Sequence, residues 1–147
     1  MVYKLKTWQV KLNVKEPTKV YPAVSTSDSA LSILKEIFKD LDHDQEHFVI
    51  LCLDSKNQIK GYKVLFSGGQ NSAHIDLKIV FRNALLMGAI SIIVAHNHPS
   101  GNINPSAEDD TMTQKIKQAG EIVQVKLLDH IIITDNNKFS YMDNCRI

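Results

Sequence analysis

The stretch Ser91–Gly101, SIIVAHNHPSG, decides how this chain is read. Ser91 to Ala95 form a short apolar run that reads as a buried strand. The strand delivers the chain directly to His96, Asn97 and His98, and a loop from His96 to Pro105 follows. Two histidines at i and i+2 leaving a strand end project to the same side, because strand side chains alternate with period two. They can therefore converge on one ion. Residues 106–119 then read as a helix ended by Gly120, with Asp109 in its first turn. Pro99, Gly101 and Pro105 give the intervening loop the means to fold that turn back over the histidine pair.

Two imidazoles and one carboxylate suit Zn²⁺, which in catalytic sites takes three protein ligands and leaves its fourth position to water. One ion per chain is expected on His96, His98 and Asp109, and residue type alone admits Fe, Mn or Ni as well. Such an ion lowers the pKa of its water toward about 7 and polarises the carbonyl to be attacked. Each half of the pattern also has a plain structural reading. Histidine pairs at this spacing occur by chance, and Ser106-Ala107-Glu108-Asp109 fits the S-x-x-[DE] capping box that satisfies amides at a helix start. One spacing satisfying both patterns together is what favours the metal.

Working outward, His47–Asp54 (HFVILCLD) is a nearly continuous apolar run, as expected of a strand buried on both faces. Asp54-Ser55-Lys56-Asn57 turns it into a hairpin partner over Gln58–Phe66, which Gly68-Gly69 breaks. Those glycines lack the pattern of a phosphate cradle. Leu31, Leu34, Phe38 and Leu41 predict an amphipathic helix over 28–41, with N-cap candidates in Ser25-Thr26-Ser27-Asp28. A second helix runs from an N-cap at Asp76 to Met87, and Gly88 stands where a C′ glycine belongs. Val123–Leu128 and Asp129–Thr134 read as two further strands, and Asn136-Asn137 joins the latter to Phe139–Tyr141. At the N-terminus Trp8, Val10, Leu12 and Val14 alternate with Gln9, Lys11, Asn13 and Lys15, a half-buried strand followed by a linker bracketed by Pro17 and Pro22. The fold class expected is α/β, a mixed sheet flanked by helices. Residues 1–24 form the basic strand and linker, and residues 25–147 the domain.

Bulk properties set the limits. A chain of 147 residues with 44% hydrophobic and 22% charged residues fits one soluble domain and excludes a disordered protein. The net charge of +1 gives no general attraction to nucleic acid or membrane. Lys4, Lys6, Lys11, Lys15 and Lys19 against Glu16 nevertheless make the first 20 residues locally basic, which allows weak DNA contact there. The longest apolar run, Ala84 to Ala95, is interrupted by Gly88 and Ser91 and falls short of the about 20 residues a membrane span needs. Cys52 and Cys145 match no metal-ligand spacing. With no secretory leader they read as reduced thiols, and the expected setting is cytoplasmic.

His96-x-His98, seven residues, Ser106, two residues and Asp109 together resemble the JAMM (JAB/MPN) metallopeptidase motif. HNHPSG at 96–101, PSAED at 105–109 and LLDHIII at 127–133 are similar to the RadC branch of that superfamily, and the likeness runs from about Ser27 to the C-terminus. The resemblance implies a JAB/MPN-type, cytidine-deaminase-like architecture and a zinc-dependent hydrolase acting on an amide or isopeptide bond of a peptide or protein. It implies that His96, His98 and Asp109 bind the metal and that Ser106 stabilises the oxyanion. It also implies that Glu46, just before the apolar strand, is general base and proton shuttle. Without it, Glu36, Glu108 and Glu121 compete with Glu46. His130 reads either as a residue that orients a ligand or as a strand-end histidine bonded to backbone, while His43, His47 and His74 read as surface groups.

The chain departs from that family in two places. Full-length relatives usually carry an N-terminal helix-hairpin-helix DNA-binding module, where the first 25 residues here hold a basic strand and linker. The helix after Asp76 opens with Leu77-Lys78-Ile79 in place of a Pro-Arg-Glu-like run. The alternative functions are therefore a DNA-associated metal-dependent protein of the RadC repair family and a non-catalytic MPN interaction module. Retention of every candidate ligand counts against the last.

Overall fold

A computed structural model describes residues 20–68 and 75–147, with Gln9, Lys11 and Lys15 besides. The expected N-terminal strand, Pro17, Gly69 and His74 lie outside the described residues. The elements are α1 (Ser27–Lys39), β1 (Glu46–Leu53), β2 (Ile59–Gly68), α2 (Leu77–Leu86), β3 (Ser91–Asn97), α3 (Ala107–Val123), β4 (Lys126–Ile133) and β5 (Lys138–Ser140). The strands form one sheet in the order β2-β1-β3-β4-β5. β1 runs antiparallel to β2 and to β3, β3 runs parallel to β4, and β5 closes antiparallel on β4. A parallel neighbour needs a crossover, and α3 supplies it. The expected mixed α/β sheet flanked by helices is what forms.

Every residue of β1 is buried, since helices cover both sheet faces. Val49, Leu51, Leu53, Ile93, Ala95, Ile131 and Ile133 pack against Ile33, Leu34, Ile37 and Phe38 of α1. On the other face Phe48, Ile50, Cys52, Ile92 and Val94 meet Val80, Phe81 and Ala84 of α2 and Met112 and Ile116 of α3. Each fully buried side chain of this kind contributes roughly 1.5–3 kcal/mol. Helix α1 begins in a capping box between Thr26 and Ser29, and α2 begins with the Asp76 carboxylate accepting from the Lys78 amide at 2.9 Å. Gly88 follows α2 with φ 60, in the left-handed region.

Five readings of the sequence need correction. Gly68 does not break β2 but belongs to it, because it pairs with Glu46 of β1. β3 does not stop at Ala95 but runs through His96 and Asn97, because both pair with β4 at Ile132 and Ile133. Gly120 does not end α3. The helix continues to Val123, and Gln124 caps it at φ 59. Gly120 is needed for close approach, since a Cβ there would lie 2.4 Å from the carbonyl oxygen of Val125. Val123–Leu128 and Asp129–Thr134 are not two strands but one, β4, whose register shifts opposite Ile92 and Ile93. Asp129 stays inside it because its carboxylate accepts from the Ser140 hydroxyl at 2.6 Å and the Met142 amide at 3.0 Å. His47, lastly, is no surface group. It is buried, with Nδ1 2.6 Å from Ser67 Oγ and Nε2 2.7 Å from the Asp42 carbonyl oxygen.

Cys52 and Cys145 are both free thiols, and burial pushes Cys52 up to about 11. No helix among the described residues is long and apolar enough to cross a membrane.

Candidate metal centre

Strand parity builds the site. On β3, His96 follows Ile92 and Val94 on the face covered by α3, and in the antiparallel register it stands opposite Phe48 of β1. Glu46 precedes Phe48 by two residues and shares its face. His98 follows His96 by two, so Glu46 and His98 approach the same end of the sheet from adjacent strands. His130, paired with Val94 from β4, shares that face as well. The first turn of α3 then lowers Asp109 onto the cluster.

The distances are those of a shared cation site. His96 Nε2 lies 2.9 Å from His98 Nε2 and 3.2 Å from Asp109 Oδ1, and His98 Nε2 lies 3.5 Å from Asp109 Oδ2. Ligands about 2.0–2.2 Å from a tetrahedral ion are about 3.3–3.6 Å from one another, and these separations fall within or a few tenths of an ångström short of that range. Glu46 Oε1 is 4.0 Å from His96 Nε2, and Glu46, His96 and His98 offer ligand atoms all within 4.8 Å of one another. Glu46 Oε1 is also buried without a hydrogen-bond partner. A buried carboxylate oxygen left so costs free energy unless a cation or a water proton answers it. The donor set and this orphaned oxygen fit a metal ion.

Each member is also anchored by groups outside the cluster. The capping box at α3 is real, with the Asp109 amide donating to Ser106 Oγ at 3.0 Å and the Ser106 amide donating to Asp109 Oδ2 at 2.8 Å. The Ser106 hydroxyl donates to the same oxygen at 2.7 Å. Capping and clustering are thus one arrangement: Oδ2 anchors the helix start while Oδ1 faces His96. Burial alone would raise the Asp109 carboxyl, but hydrogen bonding to His96 and His98 and the charge of His96 hold it far below the carboxylate range. The bond to Asp109 raises His98 above its ordinary value, and His98 Nδ1–H donates to the Asn102 carbonyl at 2.5 Å.

Sequence reasoning missed two residues here. Asn97 accepts from the His47 amide at 2.7 Å through Oδ1 and donates to the Gln45 carbonyl at 2.8 Å through Nδ2, clamping the backbone on both sides of Glu46. Its position between the two histidines was the available signal. Thr113, one helical turn after Asp109, contacts His130 Nδ1 at 2.6 Å. His130 in turn lies 2.8 Å from His96 Nδ1, and Tyr141 stacks on its ring at 4.9 Å between centroids. Burial holds His130 well below the imidazole range. His130 therefore bonds to a cluster residue and not to backbone. Glu36, Glu108 and Glu121 are exposed, as is His43. A cleft of about 600 Å³ opens beside His98, lined by Lys35, Lys39, Pro99, Ile103 and Asn136 among others.

Comparison with known proteins agrees with this geometry. The profile of the RadC-like JAB domain matches residues 24–146. A UPF0758 protein of Flavobacterium johnsoniae is 41% identical over 120 residues, which are 82% of this chain and 52% of that protein. One from Shouchella clausii is 40% identical over 121 residues, 82% of this chain and 52% of the relative. A third, from Staphylococcus epidermidis, is 45% identical over 112 residues, 76% of this chain and 49% of the relative. The chain thus spans about half the length of the curated relatives it matches. With the matched region enclosing all of the cluster, the chain belongs to the RadC-like JAB domain family and carries a JAMM-type constellation able to bind a metal ion.

Proposed function

We propose that this protein is a zinc-dependent hydrolase that cleaves amide or isopeptide bonds in a peptide or protein. The observation that carries the reading is the buried Glu46 Oε1, without a partner and 4.0 Å from His96 Nε2. A non-catalytic module has no use for an unanswered carboxylate oxygen beside a ligand cluster. His96, His98 and Asp109 would hold the zinc ion, which supplies an activated water and polarises the scissile carbonyl. Glu46 takes the water's proton at Oε1 and returns it to the leaving amine, as a general base within reach of both does. Ser106 keeps the Asp109 carboxylate in place, and rotation of its hydroxyl would aim the same proton at the developing oxyanion. The cleft beside His98 would receive the substrate, and the free thiols suit a cytoplasmic setting.

The test is a panel of isopeptide-linked and linear peptides incubated with zinc-loaded protein. Cleavage that disappears in the double variant His96→Ala, His98→Ala supports the reading. A folded, zinc-loaded protein inert across the panel contradicts it.

A further inference from the structure

We propose that Thr113 and His130 form a hydrogen-bond relay of fixed direction, which holds His96 with a proton on Nδ1 and turns its Nε2 toward Glu46, His98 and Asp109. This rests on the metal-site reading above and deepens it by assigning two positioning residues.

The direction follows from counting protons. The Asp109 carbonyl oxygen can only accept, and Thr113 Oγ1 lies 2.6 Å from it, so the single hydroxyl proton of Thr113 is committed there. Were that proton turned toward His130, two oxygen lone pairs would face one another across 2.6 Å. Thr113 Oγ1 must therefore accept in its other short contact, 2.6 Å to His130 Nδ1, which makes that nitrogen the N–H. His130 is fully buried, and its ring nitrogens bond to Thr113 and His96 and, among the described residues, to no carboxylate. The neutral ring is the form that fits, and an imidazole protonated on Nδ1 has its lone pair on Nε2. His130 Nε2, 2.8 Å from His96 Nδ1, accordingly accepts, and His96 donates through Nδ1–H. His96 Nε2 is thereby left on the side of Glu46, His98 and Asp109, where it can offer its lone pair to an ion. Asp109, Thr113, His130 and His96 are all fully buried, so water cannot substitute at any link. His98 likewise carries a proton on Nδ1, donating it to the Asn102 carbonyl.

The relay starts at the backbone of Asp109 and ends at His96, so one helical turn both presents the carboxylate and fixes the tautomer of the imidazole beside it. Groups that orient metal-binding histidines in this way typically matter by 10–100-fold in metal affinity. Replacing Thr113 by valine keeps the shape but removes the acceptor. His130 is then free to carry its proton on Nε2, donate to His96 Nδ1 and so push the His96 proton onto the metal-facing nitrogen.

The experiment reads histidine tautomers from long-range ¹⁵N–¹H correlations in metal-free protein and zinc affinity by competition with a chelating dye. The wild type should show His130 protonated on Nδ1 and not on Nε2, and His96 carrying a proton on Nδ1. Folded Thr113→Val should lose that uniform pattern at His96 and bind zinc about 10–100-fold more weakly, and Thr113→Ser should restore both. A wild-type spectrum with His130 protonated on Nε2, or His96 bare at Nδ1, overturns the proposal, and needs no variant to fold. So does a folded Thr113→Val protein with unchanged tautomers and affinity. Absence of zinc binding in the wild type would undo the metal-site reading instead, while the metal-free spectrum would still decide the relay.

Discussion

Glu46 Oε1 and His96 Nε2 face each other across 4.0 Å from adjacent strands, the first without a hydrogen-bond partner and both shut away from solvent. The pairing is not an accident of a mobile side chain. Antiparallel register sets Phe48 against His96, and Asn97 fastens the backbone on either side of Glu46. An unanswered buried polar group costs about 1–3 kcal/mol, and more when charged. On the proposed reading, a fold that holds one this firmly is spending stability on chemistry.

Glu46→Gln should separate proton transfer from metal binding. The amide keeps the shape and removes the base, so zinc content should stay near one per chain. Peptide cleavage should fall by about 10²–10⁴-fold, the usual weight of a general base. Loss of zinc in this variant would make Glu46 a ligand instead.

Ser106→Ala removes a hydroxyl that both accepts from the Asp109 amide and donates to its carboxylate. Thermal or denaturant unfolding should show a loss of about 1 kcal/mol for the cap. If the hydroxyl also serves the oxyanion, turnover of zinc-loaded protein should drop by about 10²–10³-fold. A drop under tenfold would confine Ser106 to the cap.

Gly120→Ala should destabilise the domain although alanine is the better helix former. The added Cβ would lie 2.4 Å from the Val125 carbonyl oxygen, so the backbone entering β4 must move. Strain of this kind costs about 1–3 kcal/mol. An unfolding free energy equal to or above wild type would contradict the close-approach account.

Burial raises the Asp129 carboxyl above its ordinary 3.8, against the bonds it accepts from Ser140, Met142 and His130. A carboxyl raised on folding favours the native state in its protonated form. That contribution is full below the unfolded pKa of 3.8 and is lost as pH rises through the higher folded value. Asp129→Asn lacks this dependence, so its stability relative to wild type should improve as pH climbs from the acid side of that window toward neutrality. Paired urea titrations across that range measure it, and a difference that stays flat or moves the other way contradicts the assignment.

The sequence made the periodic parts of this fold legible and misplaced those set by distant contacts. β1 declared itself as an unbroken apolar run because both its faces are covered. β4 was cut in two at Asp129, since nothing local reveals that Ser140 and Met142 will satisfy that carboxylate. Gly120 carried the local mark of a helix end, while its actual constraint, the Val125 carbonyl, lies in the following loop. At the site, His96, His98 and Asp109 were readable from spacing because they sit at successive strand and helix positions. Spacing gave Ser106 only as a helix cap, and its place at the oxyanion came from the resemblance. Glu46 was readable only by family resemblance, since its place depends on the register between two strands far apart in sequence. His47, taken for a surface group, is buried by its bonds to Ser67 and the Asp42 carbonyl. Thr113 and Asn97 carry no motif of their own. Their roles appear only once β1, β3, β4 and α3 are set side by side.

The most direct measurement is the zinc content of folded protein after equilibration with zinc and exhaustive dialysis, compared with the His96→Ala, His98→Ala variant treated identically. The account predicts close to one zinc per chain in the wild type and essentially none in the variant. A well-folded wild type that retains no zinc, or a variant that retains as much, would contradict it.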